Sequence, residues 1–131
     1  LSLLTSAMEM HLRGSSDFQK VYRTGKRYEG NLLTAFVLPN SLTHHRLGIT
    51  ASRKALGNAV DRNRAKRLLR ETFRVTSTHL DHLQQRYDWV LNARRTLLYP
   101  ESRKRLEEFE KIIASVAKEE IADFGVESPR V

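Results

Sequence analysis

Hydrophobic and polar positions alternate along the chain in patterns that predict three strands. These strands lie at residues 32–38 ("LLTAFVL"), 46–52 ("RLGITAS") and 87–93 ("YDWVLNA"). The first is a short apolar run that stops at Pro39, which is typical of a strand buried on both faces. In the second, Leu47, Ile49 and Ala51 alternate with small or polar residues, so one side should face a core. The turn-forming stretch "PNSLTHH" between these two strands predicts an antiparallel hairpin.

Three further segments have helical spacing. In "SSDFQKVYRTG", Ser16 and Gln19 form a capping-box pattern, and Gly25 is placed to end the helix. A central helix is predicted to begin after Asn58, whose side chain can cap it. After Pro100, apolar residues recur at helical spacing and predict a last amphipathic helix that packs on the sheet. These residues are Leu106, Phe109, Ile112, Ile113 and Val116. The resulting order is helix, strand, strand, helix, strand, helix, with shorter helical turns in "STHLDHLQQ".

Length and composition favour one compact domain. With 131 residues, 40% of them hydrophobic, the chain can bury a modest core. We expect a single domain over residues 13–122, an N-terminal extension at 1–12 and a mobile tail at 123–131. No stretch has the long apolar run of a membrane span, and the opening "LSLLTSAMEM" lacks the basic start of a signal peptide. The absence of cysteine excludes disulfides and thiolate metal sites and is compatible with a cytoplasmic location.

The predicted central helix concentrates positive charge. The whole chain has 23 Lys and Arg against 15 Asp and Glu, a net charge of +8, which points to polyanionic partners. At about 100° per residue, the apolar side chains of this helix form one stripe that should face the sheet. The stripe contains Ala65, Leu68, Leu69 and Phe73. Two neighbouring ridges on the other side contain Arg62, Lys66 and Arg70, and Asn63 and Arg67. Each like-charged pair costs a helix about 0.2–0.5 kcal/mol, so helix stability does not explain the pattern.

A solvated charged face is the alternative explanation for this surface. Such faces normally mix Glu and Lys at i, i+4 spacing, whereas this one is almost purely cationic and rich in Arg. The planar guanidinium group suits phosphate oxygens, and Arg53 and Lys54 extend the same patch upstream. We therefore expect this face to bind a nucleic-acid backbone with strong salt dependence.

Aromatic residues indicate a second surface. Phe18 and Tyr22 lie one turn apart on the first helix and Phe36 projects from the first strand. These three would border one groove with Thr50 and Ser52. Unpaired bases stack on aromatic side chains and gain about 1–3 kcal/mol per base. The alternative is packing in the core, which is the better explanation for Phe36 taken alone.

Catalytic signals are weak by comparison. His79 and His82 share helical spacing, but no third metal ligand is evident. Glu107, Glu108 and Glu110 are most simply explained as the solvated face of the last helix. The chain contains neither a phosphate-cradling glycine loop of the Walker type nor a nucleophile elbow. The sequence therefore predicts a binding protein rather than an autonomous enzyme.

The stretch "SRKALGNAVDRNRAKRLLRETF", residues 52–73, resembles the signature of the bacterial ribonuclease P protein subunit. The similarity extends to "SDFQKVYRTGKR", "RLGITAS" and "YDWVLNAR", and it covers residues 13–117. Two positions depart from the family pattern, because Asp61 adds a negative charge and Asn92 replaces a residue that is usually aliphatic. The resemblance implies an α/β (α+β) two-layer sandwich of order α-β-β-α-β-α with a left-handed βαβ crossover. Such connections are right-handed in about 98% of proteins, so the sequence pattern alone would not predict this topology.

The resemblance also implies a function, the removal of the 5′ leader from precursor tRNA by a ribonucleoprotein. The RNA subunit would carry out the cleavage with Mg²⁺ held mainly by the RNA, and the monomeric protein would be inactive alone and bind no metal tightly. RNA contacts would come from Arg53, Lys54, Asn58, Arg62, Asn63, Arg64, Lys66, Arg67 and Arg70. The cleft for the single-stranded leader would contain Phe18, Tyr22, Phe36, Thr50 and Ser52. A general RNA-binding or ribosome-associated protein and a stand-alone nuclease are the alternatives.

Overall fold

The computed structural model describes residues 11–124, and within this range the chain forms four strands and five α-helices. In chain order these elements are α1 Gly14–Thr24, β1 Lys26–Glu29, β2 Leu33–Pro39, β3 Arg46–Thr50, α2 Arg53–Leu56, α3 Ala59–Val75, α4 Ser77–Asp81, β4 Tyr87–Ala93, a 3₁₀-helix Arg95–Leu98 and α5 Ser102–Phe124. The three predicted strands and three predicted helices are all present. The predicted helical turn after the central helix is α4, whereas β1, α2 and the 3₁₀-helix were not predicted.

The four strands form one sheet in the order β1-β2-β4-β3. β1 pairs antiparallel with β2, β2 pairs antiparallel with β4, and β3 pairs parallel with β4. The predicted hairpin of β2 with β3 is therefore wrong, because β4 lies between them. Parallel neighbours need a crossover connection, and helices α2 to α4 provide it. The α+β class is confirmed, and the left hand implied for this crossover stays a prediction.

The larger core lies between one face of the sheet and helices α3 and α5. Trp89 of β4 is fully buried there, with its ring centroid 6.1 Å from that of Phe73 and 5.5 Å from that of Phe109. The predicted apolar stripe of α3 is confirmed, since Ala65, Leu69 and Phe73 are buried and Leu68 packs at the margin. Burial of these side chains fixes α3 on the sheet and turns its cationic side to solvent.

The opposite face of the sheet is covered in part by α1. Leu12, Val21 and Val90 form a second buried cluster there. The ring of Phe18 lies directly over Gly48, where an added Cβ would come within 2.6 Å of the Phe18 Cζ atom. Gly48 thus allows α1 to approach the sheet closely. Leu12 belongs to the segment that the sequence assigned to the N-terminal extension, and its N–H donates to the Leu47 carbonyl at 3.0 Å.

The ends of the helices differ in how well the sequence predicted them. The capping box of Ser16 is wrong, because α1 already begins at Gly14 and Asp17 accepts the N–H of Arg13 at 2.9 Å. Gly25 does end α1, and its N–H donates to the carbonyl of Val21. The cap of the central helix is confirmed, since the Oδ1 atom of Asn58 accepts the N–H of Asp61 at 2.8 Å.

Two carboxylates of α5 anchor loops at opposite ends of the sheet. Glu108 accepts the N–H groups of Asn31, Leu32 and Leu33 at 2.8–3.1 Å, so the expectation that it belongs to a solvated face is wrong. Glu120 is buried and accepts the N–H groups of residues 84 and 85. Both groups satisfy backbone donors that the adjoining strands leave unpaired.

Several predictions fall at or beyond the ends of the described residues. α5 continues to Phe124, and the rest of the predicted tail lies outside the described residues, as do residues 1–10. Within residues 11–124, no helix is both long enough and apolar enough to span a membrane. The domain limits of 13–122 stay a prediction.

Candidate nucleic-acid interface

The solvent side of α3, together with α2, presents six cations that have no acidic partner among residues 11–124. Arg67 lies opposite the buried stripe of Ala65, Leu69 and Phe73, and its side chain is exposed. Arg74 near the end of α3 lies 4.0 Å from Glu71, and the six other cations of this surface make no ion pair among residues 11–124. These cations are Arg53, Lys54, Arg64, Lys66, Arg67 and Arg70. We call this set the cationic face.

The cationic face reaches around both flanks of α3. On one flank, Lys66 lines an open cavity of about 480 Å³ together with Phe18, Thr50 and Ser52. On the other flank, Arg64 lies near Arg105 of α5. Burial and then the charge of Arg64 lower the pKa of Arg105 below its ordinary value. Positive charge therefore extends from the sheet side of α3 across to α5.

The remaining predicted RNA contacts lie at the start of α3, and two of them, Asn58 and Arg62, also make hydrogen bonds within the protein. Asn58 caps the helix, as described, and its neighbour Asn63 is exposed one turn later. Arg62 is half-buried and donates to the Gly57 carbonyl at 3.2 Å. Asp61 is one of the two departures from the family pattern, because it adds a negative charge to the helix. Its carboxylate lies 3.8 Å from the guanidinium of Arg95, which lies outside α3 and offsets this charge.

A cleft opens between α1 and the sheet, beside the flank of Lys66. The ring of Tyr22 meets Phe36 edge to face, with the centroids 4.9 Å apart, and Tyr22 is 38% exposed. Phe18 and Phe36 are half-buried and pack against the second buried cluster. Core packing thus accounts for part of each ring, and Phe18 is the ring that lines the cavity beside Lys66. All three predicted aromatic residues come together at this place.

The polar floor of the cleft contains one residue to which the sequence assigned no role. The Oδ1 atom of Asn92 accepts the hydroxyl of Thr50 at 2.7 Å and the hydroxyl of Tyr22 at 2.9 Å. Ser52 lies at the rim, where its Oγ atom caps α2 by accepting the N–H of Ala55 at 3.1 Å. The polarity of Asn92 within an apolar strand was a visible signal, although its partners were not.

Arg27 is a second residue that the sequence did not indicate. Its guanidinium carbon lies 5.8 Å from the ring centroid of Phe36, within the range of a cation–π contact. Arg27 belongs to β1, a strand in which three of the four residues are charged and no hydrophobic alternation is visible. The cleft therefore has a cation at each side, Arg27 beside Phe36 and Lys66 beside Phe18.

Among residues 11–124, no group of three or more His, Cys, Asp or Glu side chains is arranged to hold a metal ion. The one carboxylate in the first turn of α3, that of Asp61, is the group described above beside Arg95. Hard divalent cations prefer several oxygen ligands. The residues of this surface thus fit phosphate groups and do not fit a dedicated Mg²⁺ site.

Comparisons with known proteins agree with this arrangement. A family model described as Ribonuclease P matches residues 7–117. The ribonuclease P protein component of Natranaerobius thermophilus is 41% identical over 83 residues, which cover 63% of this chain and 69% of that protein. The structure of the RNase P protein of Staphylococcus aureus covers 83% of this chain and 95% of its own, with a TM-score of 0.67 and 29% identity. The structure of the RNase P protein of Thermotoga maritima covers 80% of this chain and 96% of its own, with a TM-score of 0.70 and 26% identity. The chain therefore belongs to the bacterial ribonuclease P protein family.

Proposed function

We propose that the chain binds the ribonuclease P RNA through its cationic face and holds the 5′ leader of precursor tRNA in the cleft beside α1. Membership of the family makes it a protein subunit of the ribonuclease P endoribonuclease, which associates with the RNA of that enzyme. The finer assignment of surfaces to RNA partners is the proposal. The observation that carries it is the row of cations on α2 and α3, all exposed except half-buried Lys66, that have no acidic partner among residues 11–124.

The charge distribution supports contact with an RNA backbone. Two RNA strands brought together repel each other unless cations lie between them. The exposed guanidinium groups of Arg64, Arg67 and Arg70 keep all their donors available, because no acidic group among the described residues engages them. Guanidinium groups pair with phosphate in a bidentate manner. The face would therefore reduce repulsion between the catalytic RNA and its substrate.

The geometry of the cleft supports contact with a single strand. The cavity beside Lys66 combines the ring of Phe18 with the hydroxyls of Thr50 and Ser52, and the rings of Tyr22 and Phe36 contact each other nearby. A strand of unpaired nucleotides offers bases for stacking and phosphates for pairing with Lys66. Lys66 belongs to both surfaces. A leader in the cleft would thus lie directly beside the RNA held on α3.

Cleavage itself would be carried out by the RNA. The described residues contain no group of three or more His, Cys, Asp or Glu side chains arranged to hold a metal ion. We propose that Mg²⁺ is held mainly by the RNA and that the protein acts by binding and positioning. The protein would then be inactive alone, and it would raise the affinity of the holoenzyme for precursor tRNA.

Reconstitution tests this function. The pure protein should not cleave precursor tRNA, whereas adding it to a bacterial ribonuclease P RNA at low Mg²⁺ should restore removal of the leader. Equal binding of unrelated structured RNA, with no stimulation of the ribonuclease P RNA, would favour a general RNA-binding protein. Cleavage by the protein without RNA would contradict the assignment of the chemistry.

The cleft has a separate test. Phe18→Ala should weaken binding of precursor tRNA by about 1–3 kcal/mol, the cost of one lost stacking contact, and should leave binding of mature tRNA unchanged. Tyr99→Ala is the matched control, because Tyr99 is 68% exposed and lies after β4, outside the cleft. Equal losses for precursor and mature tRNA would show that the cleft does not hold the leader.

A further inference from the structure

Arg95 of the 3₁₀-helix lies at the corner between the two helices that carry the cationic face. Its Nη1 atom donates to the carbonyl of Leu56, the last residue of α2, at 2.7 Å. Its Nη2 atom lies 3.8 Å from the Oδ2 atom of Asp61 in the first turn of α3. The chain turns between these helices at Gly57, whose φ of 87° favours glycine. One guanidinium group therefore contacts both helices.

Asp61 has a second cation within reach on its own helix. Residues three apart are neighbours on a helix surface, so Asp61 and Arg64 stand in the position of an i, i+3 ion pair. Among residues 11–124, however, the ion pair of Asp61 is made with Arg95, and Arg64 makes none. Arg64 is exposed and lies near Arg105 of α5. Its guanidinium is therefore open to an external anion.

A pair between Asp61 and Arg64 would remove Arg64 from the RNA-binding surface. Carboxylate and phosphate groups both accept the two parallel N–H bonds of a guanidinium fork, so a carboxylate paired with Arg64 would compete with RNA for the same donors. Arg95 is the better internal partner for this carboxylate, because its hydrogen bond to Leu56 already holds the guanidinium in place. Little further side-chain entropy is lost when Arg95 engages Asp61.

We propose that Arg95 is a positioning residue of the RNA-binding surface, which occupies the carboxylate of Asp61 and so keeps Arg64 available for an RNA phosphate. The proposal rests on the function proposed above and adds a residue outside α2 and α3 on which RNA affinity depends. It also explains how a carboxylate is accommodated in a cationic surface. Asp61 suits the start of the helix, where the helix dipole favours negative charge, and Arg95 removes its cost to RNA binding.

The test measures binding of a bacterial ribonuclease P RNA to the full chain by fluorescence titration at several salt concentrations. In Arg95→Gln, the carboxylate of Asp61 is left to pair with Arg64. The RNA affinity should fall by about 3- to 5-fold, the upper range for a surface ion pair. The slope of log K against log salt should become shallower by up to about 0.9, because one phosphate contact is lost.

Two double variants show whether Arg95 acts through these residues. Asp61→Asn removes the competing carboxylate, so in this background Arg95→Gln should change the affinity by less than about twofold. Arg64→Ala removes the cation that Asp61 would engage, so here too Arg95→Gln should change the affinity by less than about twofold. If Arg95 itself contacted a phosphate, its loss of about 3- to 5-fold would persist in both backgrounds, and the proposal would be overturned.

Two further variants separate charge compensation from folding. Arg95→Lys keeps a cation beside Asp61 and should keep most of the wild-type affinity. Arg103→Gln breaks the 3.9 Å ion pair with Glu107 outside the cationic face, and it should leave the RNA affinity unchanged. In urea unfolding, loss of the hydrogen bond to Leu56 should destabilise Arg95→Gln to a similar extent with and without Asp61→Asn. A purely structural role of Arg95 would therefore weaken RNA binding in both backgrounds, which would also overturn the proposal.

The outcomes distinguish this inference from the function on which it rests. If Arg64→Ala alone leaves the RNA affinity and the salt slope unchanged, Arg64 makes no phosphate contact and the proposed role of the cationic face is wrong at this residue. If Arg64→Ala weakens binding and Arg95→Gln does not, the cationic face stands and the positioning role of Arg95 is overturned. The same holds if Arg95→Lys loses as much affinity as Arg95→Gln.

Discussion

Arg67→Ala separates a functional explanation of the cationic face from a structural one. Arg67 lies at the centre of the exposed side of α3, and it has no acidic partner within residues 11–124. If its guanidinium contacts one RNA phosphate, the slope of log K against log salt should become shallower by about 0.7–0.9. Between 50 and 200 mM salt, the affinity defect should then shrink by about threefold.

The stability of Arg67→Ala should change little. Arg64 and Arg70 lie three residues away on either side of Arg67 and repel it, whereas Glu71 lies four residues away and attracts it. Each such pair contributes about 0.2–0.5 kcal/mol, so the terms largely cancel. Alanine also has the highest helix propensity. The free energy of unfolding should therefore stay within about 0.5 kcal/mol of the wild-type value.

Two control variants make the measurement decisive. Arg103→Ala removes the same charge from an exposed side chain that already lies 3.9 Å from Glu107, and it should leave the salt slope unchanged. Arg46→Ala removes a guanidinium that donates to buried Asp88 at 2.8 and 2.7 Å, and it should cost about 3 kcal/mol of stability. The reasoning fails if Arg67→Ala unfolds the protein, or if Arg103→Ala flattens the slope equally. The salt slope is measured by fluorescence titration of the protein with RNA, and the free energy of unfolding is measured by urea unfolding.

Three other predictions concern groups that hold the two faces of the sheet. Burial lowers the pKa of His45 below its ordinary 6.5, so the unfolded chain takes up the proton first. The free energy of unfolding should therefore fall as the pH drops below 6.5. His45→Gln should weaken this pH dependence in urea unfolding, and an unchanged pH dependence would contradict the assignment to His45. Gly48→Ala should displace Phe18, cost about 1–3 kcal/mol and weaken binding of precursor more than of mature tRNA, whereas equal losses would refute the link. Glu120→Ala should cost about 2–4 kcal/mol in thermal unfolding, because it leaves the buried Tyr87 hydroxyl and two part-buried N–H groups unpaired, and a neutral result would show that water replaces the carboxylate.

The cationic face was predictable because it depends on one helix. Periodicity places Ala65, Leu69 and Phe73 on one side of α3, and burial of that side determines which residues face solvent. The cap at Asn58 depends on residues only three positions apart, so it too was visible in the sequence. Local rules were less successful in α1, where Asp17 accepts the N–H of Arg13 and the helix begins earlier than the capping box indicated.

Strand order was not predictable by the same means, because it depends on contacts between distant residues. A turn-rich connection suggested that β2 and β3 pair, yet both strands pair with β4, which follows some forty residues later in the sequence. Buried Asp88 of β4 explains this preference. It accepts hydrogen bonds from Arg46 of β3 and, on the β2 side, from Asn40 at 2.9 Å. A direct pairing of β2 with β3 would separate this carboxylate from one of its two partners.

The same insertion of β4 accounts for the part of the cleft that sequence reasoning missed. Phe18, Tyr22 and Phe36 could be assigned to a groove from helical spacing and strand alternation alone, without knowing which strands are neighbours. The floor requires β4 between β2 and β3, because only this order brings Asn92 beside Thr50 and below Tyr22. Without knowledge of its neighbours, an amide in an apolar strand has no apparent hydrogen-bond partner. Once the strand order is known, Asn92 becomes the residue that joins α1, β3 and β4 at the base of the proposed leader cleft.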